Sequence, residues 1–311
     1  MNLLILSKEK LDLAKAEAEA LLGRVKAEDN ILFTANEDLN LMKRLAFANK
    51  ICRLLFVTDK KNLEKDLQKF DWNSVYKNSF CLRIEGELPK NEAQLAGFVW
   101  KKLKKPKVDL EKPGTRIEIV VGKKIYCCIL LHESDKKYLM RKNHLRPMPH
   151  PTSLHPKLAK ALVNLSGAVD GTVVDPFCGS GGILMEAGLM GLKAVGYDIN
   201  RIMLKMADKN LAYFKVKGYK LIEGDGTKIP KAEYVVTDLP YGRSSKISEK
   251  IETLYSKFLK NLKKVLKNRA VVVFPDNVNY RKLVKGANLK IEKEFSYYIH
   301  KSLTKKITVL R

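Results

Sequence analysis

The chain has 311 residues, 45% of them hydrophobic, enough for about two domains that each bury a core, which excludes a disordered chain. Lys and Arg number 59 against 34 Asp and Glu, and the net charge of +25 is the footprint of a polyanion binder or, more plainly, a solvated lysine-rich surface. Five cysteines without a C-x-x-C pair exclude a disulfide framework or a structural zinc site, and no apolar run approaches the roughly 18 residues of a membrane span.

The start, MNLLILSKEKLDLAKAEAEALLG, has no basic segment leading into a long apolar core. No signal peptide is expected, and the protein is expected in the cytoplasm. From Met1 to about Leu131, short β runs (NLLIL, NILFTA, CRLLFV, FCLRIEG, RIEIVVG, KIYCCILL) alternate with helical patterns (KLDLAKAEAEALLG, LNLMKRLAFANK, EAQLAGFVWKKLKK). Helices between strands that end in a close strand pair predict α+β layers. Trp72 and Trp100 read as core or half-buried aromatics. A polar, basic, proline-containing stretch, HESDKKYLMRKNHLRPMPHPTSLHP, has the composition of a linker. Its His150 and His155 lack a third ligand at metal spacing, so capping and packing are expected of them and no metal site.

Beyond it the pattern becomes strand, glycine, helix, repeatedly, which predicts an α/β doubly wound parallel sheet with ligands at the carboxyl ends of its strands. A helix is expected over about residues 247 to 266 and a final pair of elements near 290 to 311. The first strand of this half, VVDPFCGSGG, ends at Asp175 and runs into Gly179, Gly181 and Gly182. Such glycines let backbone N–H groups approach a ligand, yet neither a dinucleotide fingerprint nor a phosphate loop follows. The second strand ends at Asp198, where an acid can accept hydrogen bonds from two ribose hydroxyls, and the third at Asp225-Gly226. Each acid alone is an ordinary cap or turn residue. The ordered set describes a pocket for a nucleoside with a cationic tail, S-adenosyl-L-methionine.

This arrangement resembles class I S-adenosylmethionine-dependent methyltransferases over residues 152–311. The resemblance implies that the D-x-F-x-G-x-G loop, with Asp175, Phe177, Gly179 and Gly181, holds the methionine part. Asp198, followed by Ile199, would hold the ribose, and Asp225 with Gly226 the adenine. A fourth strand ends in TDLPYG, similar to the (D/N)-P-P-(Y/F) signature of amine methyltransferases, with Leu239 where proline is usual, so a less rigid loop is expected. An aryl amine has its lone pair delocalised, so Asp238 and the Leu239 carbonyl would each accept one N–H and turn the lone pair toward the methyl. Pro240 would stiffen the turn and Tyr241 stack on the base.

FCLRIEG, VDL with Pro113 and IEIV are similar to the THUMP domain of RNA-modifying enzymes. The whole chain resembles the archaeal tRNA guanosine-10 N2-methyltransferase family. That implies a ferredoxin-like segment (1–65), a THUMP domain (66–134), a linker (135–151) and the methyltransferase domain (152–311), with tRNA as partner. The His-Pro stretch, Pro151 to Pro156, would form one wall of the cofactor pocket. Lys102, Lys105 and Arg141 are candidates for an RNA track, and Arg243, after the catalytic loop, for a phosphate or the target base. Guanosine 6 of tRNA, a ribosomal guanine, DNA, or an inert RNA-binding module remain alternatives. A monomer is expected, unless a small activating protein is required.

Overall fold

The computed structural model describes residues 1–241, 245–300 and 303–311. It divides into two compact units, Met1–Lys15 with Leu22–Lys43 and Ala48–Asp135, and Ala16–Leu21 with Arg44–Phe47 and Lys136–Arg311.

In chain order the first unit carries β1 (Asn2–Leu6), α1 (Leu11–Leu22, whose middle belongs to the second unit), β2 (Val25–Glu28), β3 (Ile31–Thr34), α2 (Leu39–Lys43), β4 (Ala48–Thr58), α3 (Leu63–Lys69), β5 (Phe80–Glu85), α4 (Glu92–Trp100), β6 (Thr115–Val121) and β7 (Ile125–Glu133). Its strands form one sheet in the order β2-β3-β1-β4-β7-β6-β5. The sheet runs without a break past residue 65, so the two sequence modules expected on either side of that point share one hydrogen-bonded layer. Leu63, Leu67, Leu95 and Val99 from α3 and α4 bury against Phe80, Leu82, Ile117 and Ile119 of the sheet. Asn91 and Gln94 form a reciprocal capping box that starts α4, satisfying donors that a helix end otherwise leaves orphaned. Trp72 is buried with its Nε1 donating to the Leu67 carbonyl at 2.7 Å, whereas Trp100 is 45% exposed.

The second unit carries α5 (Pro156–Leu165), β8 (Thr172–Asp175), α6 (Gly182–Leu189), β9 (Lys193–Asp198), α7 (Arg201–Tyr213), β10 (Tyr219–Glu223), β11 (Ala232–Asp238), α8 (Ser245–Val265), β12 (Leu266–Pro275), α9 (Tyr280–Gly286), β13 (Ile291–His300) and β14 (Leu303–Leu310). The sheet order is β10-β9-β8-β11-β12-β14-β13. The strands from β10 to β12 are parallel, each reached through a crossover, as the strand-helix alternation predicted. β13 and β14 run antiparallel, because the short connection between them leaves no room for a crossover, so the sheet is mixed rather than wholly parallel. Strand order reverses between β8 and β11, and a crevice for a ligand opens at the carboxyl ends of such a pair. Both His155, whose side chain accepts from Lys157 N, and Pro156 at the first helical position start α5, giving His155 the capping role expected of it.

One predicted helix is much shorter than its apolar periodicity. LNLMKRLAFANK is helical only over Leu39–Lys43, and β4 begins at Ala48. The buried Glu17 carboxylate accepts from Ala46 N at 2.6 Å and Phe47 N at 3.1 Å, taking the donors that a continuing helix would need. The same carboxylate accepts from Asn164 Nδ2 at 2.7 Å, and the Arg44 carbonyl takes a second bond from that nitrogen. Neither β2, a short partly exposed strand, nor α3 stood out in the sequence.

Glu17→Gln turns one accepting oxygen into a donor that faces a buried N–H. We expect a loss of about 1–3 kcal/mol of unfolding free energy in denaturant titration; an unchanged midpoint would show that the three bonds contribute nothing net.

Candidate active site

Asp175, Asp198, Asp225 and Asp238 stand at or just beyond the carboxyl ends of β8, β9, β10 and β11, four neighbours in the sheet. All four line one cavity of about 620 Å³, together with Phe177, Gly179, Ile199, Gly226, Leu239, Pro240 and Tyr241. That volume is typical of a site for a small organic ligand. Among the described lining residues there are four carboxylates and no Lys or Arg, so the cavity favours a ligand that brings positive charge and hydrogen-bond donors.

The loop after β8 is built by its own carboxylates. Asp175 is buried, and its Oδ1 accepts from Phe177 N at 3.1 Å and Thr237 Oγ1 at 2.7 Å. Burial pushes its carboxyl up to about 7, against the pull of those two donors. Asp198 bridges two segments: Oδ2 accepts from Gly179 N at 3.0 Å and Oδ1 from Asn200 N at 2.8 Å. Gly181 has φ of 84°, a left-handed conformation that favours glycine, and starts α6; it shapes the loop without lining the cavity. Gly226 is required for another reason, since a Cβ there would lie 2.1 Å from the Pro176 carbonyl oxygen. Asp225 caps the turn that follows it, and the Thr227 amide and hydroxyl hold its carboxyl below the ordinary range. Ile199 stands 76% exposed at the rim, an apolar side chain with a free face.

His150, Thr152, Ser153 and Leu154 contribute a wall of the cavity, in the place expected of the His-Pro stretch. From Lys136 the expected linker belongs to the second unit, and Ser153 and Asn210 tie this stretch to Ser180 of the Gly loop. Ser153 Oγ lies 2.7 Å from Ser180 Oγ, and His150 Nδ1 lies 2.9 Å from Thr152 Oγ1. Asn210 of α7 is fully buried, accepts from Met148 N, and donates to the carbonyls of Met148 and Ser180. Sequence reasoning missed Asn210, although an amide on the apolar stripe of α7 marks a polar contact that must be satisfied.

Around Asp238 the loop is firmer than its departure from the usual proline implied. Leu239 is buried in the core of the unit and donates its N–H to the Val273 carbonyl at 3.1 Å, a bond proline cannot make. The Pro240 carbonyl accepts from the buried Tyr255 hydroxyl at 2.5 Å. Burial raises the Asp238 carboxyl, and Lys305 opposes that shift. The Lys305 ammonium donates to Asp238 Oδ2 and lies 4.9 Å from the centre of the Tyr241 ring. Lys305 is the second residue that the sequence reading missed.

The remaining candidates lie elsewhere. Lys102 and Lys105 are exposed in the first unit, on a segment whose backbone is held by Asn73 and Tyr76. Arg141, the third candidate for the RNA track, is held by Glu186, which accepts from its Nε and Nη2 at 2.7 and 2.8 Å in a largely buried ion pair. Arg243 lies outside the described residues.

A family profile described as an RMKL-like methyltransferase domain matches residues 143–306, and one described as DNA methylase matches 24–209. The tRNA (guanine(10)-N2)-dimethyltransferase of Pyrococcus abyssi is 33% identical over 94% of this chain and 94% of its own. The tRNA (guanine(6)-N2)-methyltransferase of Methanocaldococcus jannaschii is 22% identical over 91% of this chain and 93% of its own. The crystal structure of TrmN from Thermus thermophilus superposes with a TM-score of 0.52 at 20% identity, covering 100% of this chain and 99% of that one, and shares the fold.

Asp198→Ala removes both the acceptor at the second strand tip and the bond that shapes the Gly179 turn. We expect affinity for S-adenosylmethionine, by isothermal titration, to fall at least about tenfold, or 1.4 kcal/mol; unchanged affinity would remove Asp198 from the cofactor site.

Proposed function

The chain belongs to the tRNA (guanine(10)-N2)-dimethyltransferase family, and on that premise we propose that it transfers methyl groups from S-adenosylmethionine to the exocyclic N2 of guanosine 10 in tRNA. The observation that carries this reading is Asp238, a largely buried acid beside Tyr241 that lines one cavity with Asp175, Asp198 and Asp225.

The cofactor, when bound, supplies a methyl group on a sulfonium. The cavity's chemistry fits it: carboxylates and no lining Lys or Arg among the described residues, with apolar surface from Phe177 and Ile199. Asp198 would accept from the ribose hydroxyls, Asp225 and Gly226 would hold the adenine, and the loop from Asp175 to Gly181 would hold the methionine part. Asp238 and the Leu239 carbonyl accept the two N–H bonds of the guanine amine, which draws its lone pair out of the ring and toward the methyl. With the methyl supplied from sulfur to nitrogen, the S–C bond breaking as the N–C bond forms, the Asp238 carboxylate would stabilise the positive charge left on the amine. The departing proton passes to Asp238 or to water. Tyr241 stacks on the extruded base.

In this reading residues 1–65 and 66–134 act as ferredoxin-like and THUMP modules that hold the tRNA, while 152–311 perform the transfer. Exposed lysines such as Lys102 and Lys105 contact phosphates, a sequence-independent contribution to affinity, and Arg243 meets the RNA near the target base. Among the described residues no helix is long and apolar enough to cross a membrane, and the cytoplasm is the compartment where tRNA is met. The enzyme acts as a monomer or with a small activating protein. Guanosine 10 is preferred to guanosine 6 because the relative named for guanosine 10 is closer, 33% against 22% identical. The DNA-methylase match ends at residue 209, before the Asp238 loop.

With labelled S-adenosylmethionine and unmodified tRNA, label should appear in N2-methylguanosine and then N2,N2-dimethylguanosine; no label in RNA would reject the reading. Asp238→Ala should lower turnover by about a hundredfold or more while tRNA binding, followed by filter retention, stays near wild type. A matching loss of binding would make Asp238 structural.

A further inference from the structure

We propose that Lys305 is a positioning residue for the methyl transfer, holding one oxygen of Asp238 so that the other faces the target amine, and backing the Tyr241 ring so that the base stacks on its opposite face. This rests on the reading of the site as an amine methyltransferase.

A lysine side chain normally keeps its ammonium in water. Here the Lys305 side chain is only 5% exposed and that of Asp238 15%, and the two are hydrogen-bonded. Their strands are not neighbours, since β12 lies between β11 and β14. In register, Lys305 pairs with Pro275 on one side and Tyr297 on the other, and Thr304 N donates to the Asp276 carboxylate at 3.3 Å. The ladder therefore sets the reach of the ammonium across β12 to the tip of β11.

Counting bonds explains why the reaction tolerates this partner. The amine has two N–H groups; if the Leu239 carbonyl takes one, Asp238 needs a single oxygen for the other. Its Oδ2 would then be a buried acceptor without a donor, a costly arrangement that Lys305 removes. The ammonium also opposes the rise that burial imposes on this carboxyl. Of the described groups facing Asp238, Asp175 of β8 is a second acid, Tyr255 of α8 and Tyr241 are phenols, and Lys305 of β14 is the cation. A cation 4.9 Å from the ring centre is within cation–π range, and it covers the face of Tyr241 that the base does not need.

The test compares Lys305→Met, which keeps most of the stem, with Lys305→Arg, which keeps the charge. In Lys305→Met, kcat on tRNA should fall at least about tenfold. S-adenosylmethionine affinity by isothermal titration and the melting temperature should stay near wild type. The acidic limb of the kcat profile should move up by about one pH unit or more, because an acid deprived of its cation protonates at higher pH. Lys305→Arg should return the limb toward its original position. If Lys305→Met does not fold, Lys305→Gln carries the same comparison. An unmoved limb with unchanged kcat, or a fall in kcat matched by equal loss of cofactor affinity with the limb unmoved, overturns the proposal. Wild-type protein that methylates no RNA rejects the underlying reading and this inference with it. Wild-type activity alongside an unaffected Lys305→Met rejects only this inference.

Discussion

The site is organised by negative charge confined at the carboxyl ends of four adjacent parallel strands. Carboxylates placed that close in a partly dry cavity repel one another and lose hydration, and each needs a donor or must take up a proton. The chain answers locally in each case. Asp175 takes an amide and the Thr237 hydroxyl, Asp198 takes two amides, Asp225 takes the Thr227 amide and hydroxyl, and Asp238 takes an ammonium. Those same bonds fix the shape of the loops, so the electrostatics that suit a cationic cofactor and the geometry that receives it have one origin.

Much of this could be read from the sequence because backbone rules operate over short spacings. Apolar runs that stop at or just before an acid mark Asp175, Asp198 and Asp225 as strand tips, and after Asp175 glycines lead into a helix. Asp238 follows by the same pattern. Sheet order was less accessible, since a β13–β14 pair that closes one side of the sheet gives no local signal beyond two strand patterns. The missed residues share a feature. Asn210 and Lys305 are polar groups on stripes that are otherwise apolar, with Leu204, Ala207 and Leu211 beside the first and Ile307 and Val309 beside the second. A sequence shows such a residue to be anomalous, but its partner is named only when distant elements meet.

The other departures follow from competition for backbone donors. Residues 39–50 have helical periodicity, yet Glu17 takes the amides of Ala46 and Phe47 and the helix stops. Leu239 in place of proline leaves an N–H that binds Val273, so a substitution expected to loosen the catalytic loop supplies it with an anchor. Arg141, basic and set in a polar segment, has the sequence appearance of an RNA contact, and the structure pairs it with Glu186 of α6. Charge counting cannot separate such a residue from Lys102 or Lys105; only burial does.

The central claim is that this geometry serves one amine of one nucleoside in tRNA. Mass-spectrometric mapping of modified nucleosides in tRNA from cells lacking this chain tests base, atom and position together. The account predicts that N2-methylated guanosine disappears at position 10 while other tRNA modifications persist. Retention of the modification at position 10, with loss instead at guanosine 6 or in ribosomal RNA, would contradict it.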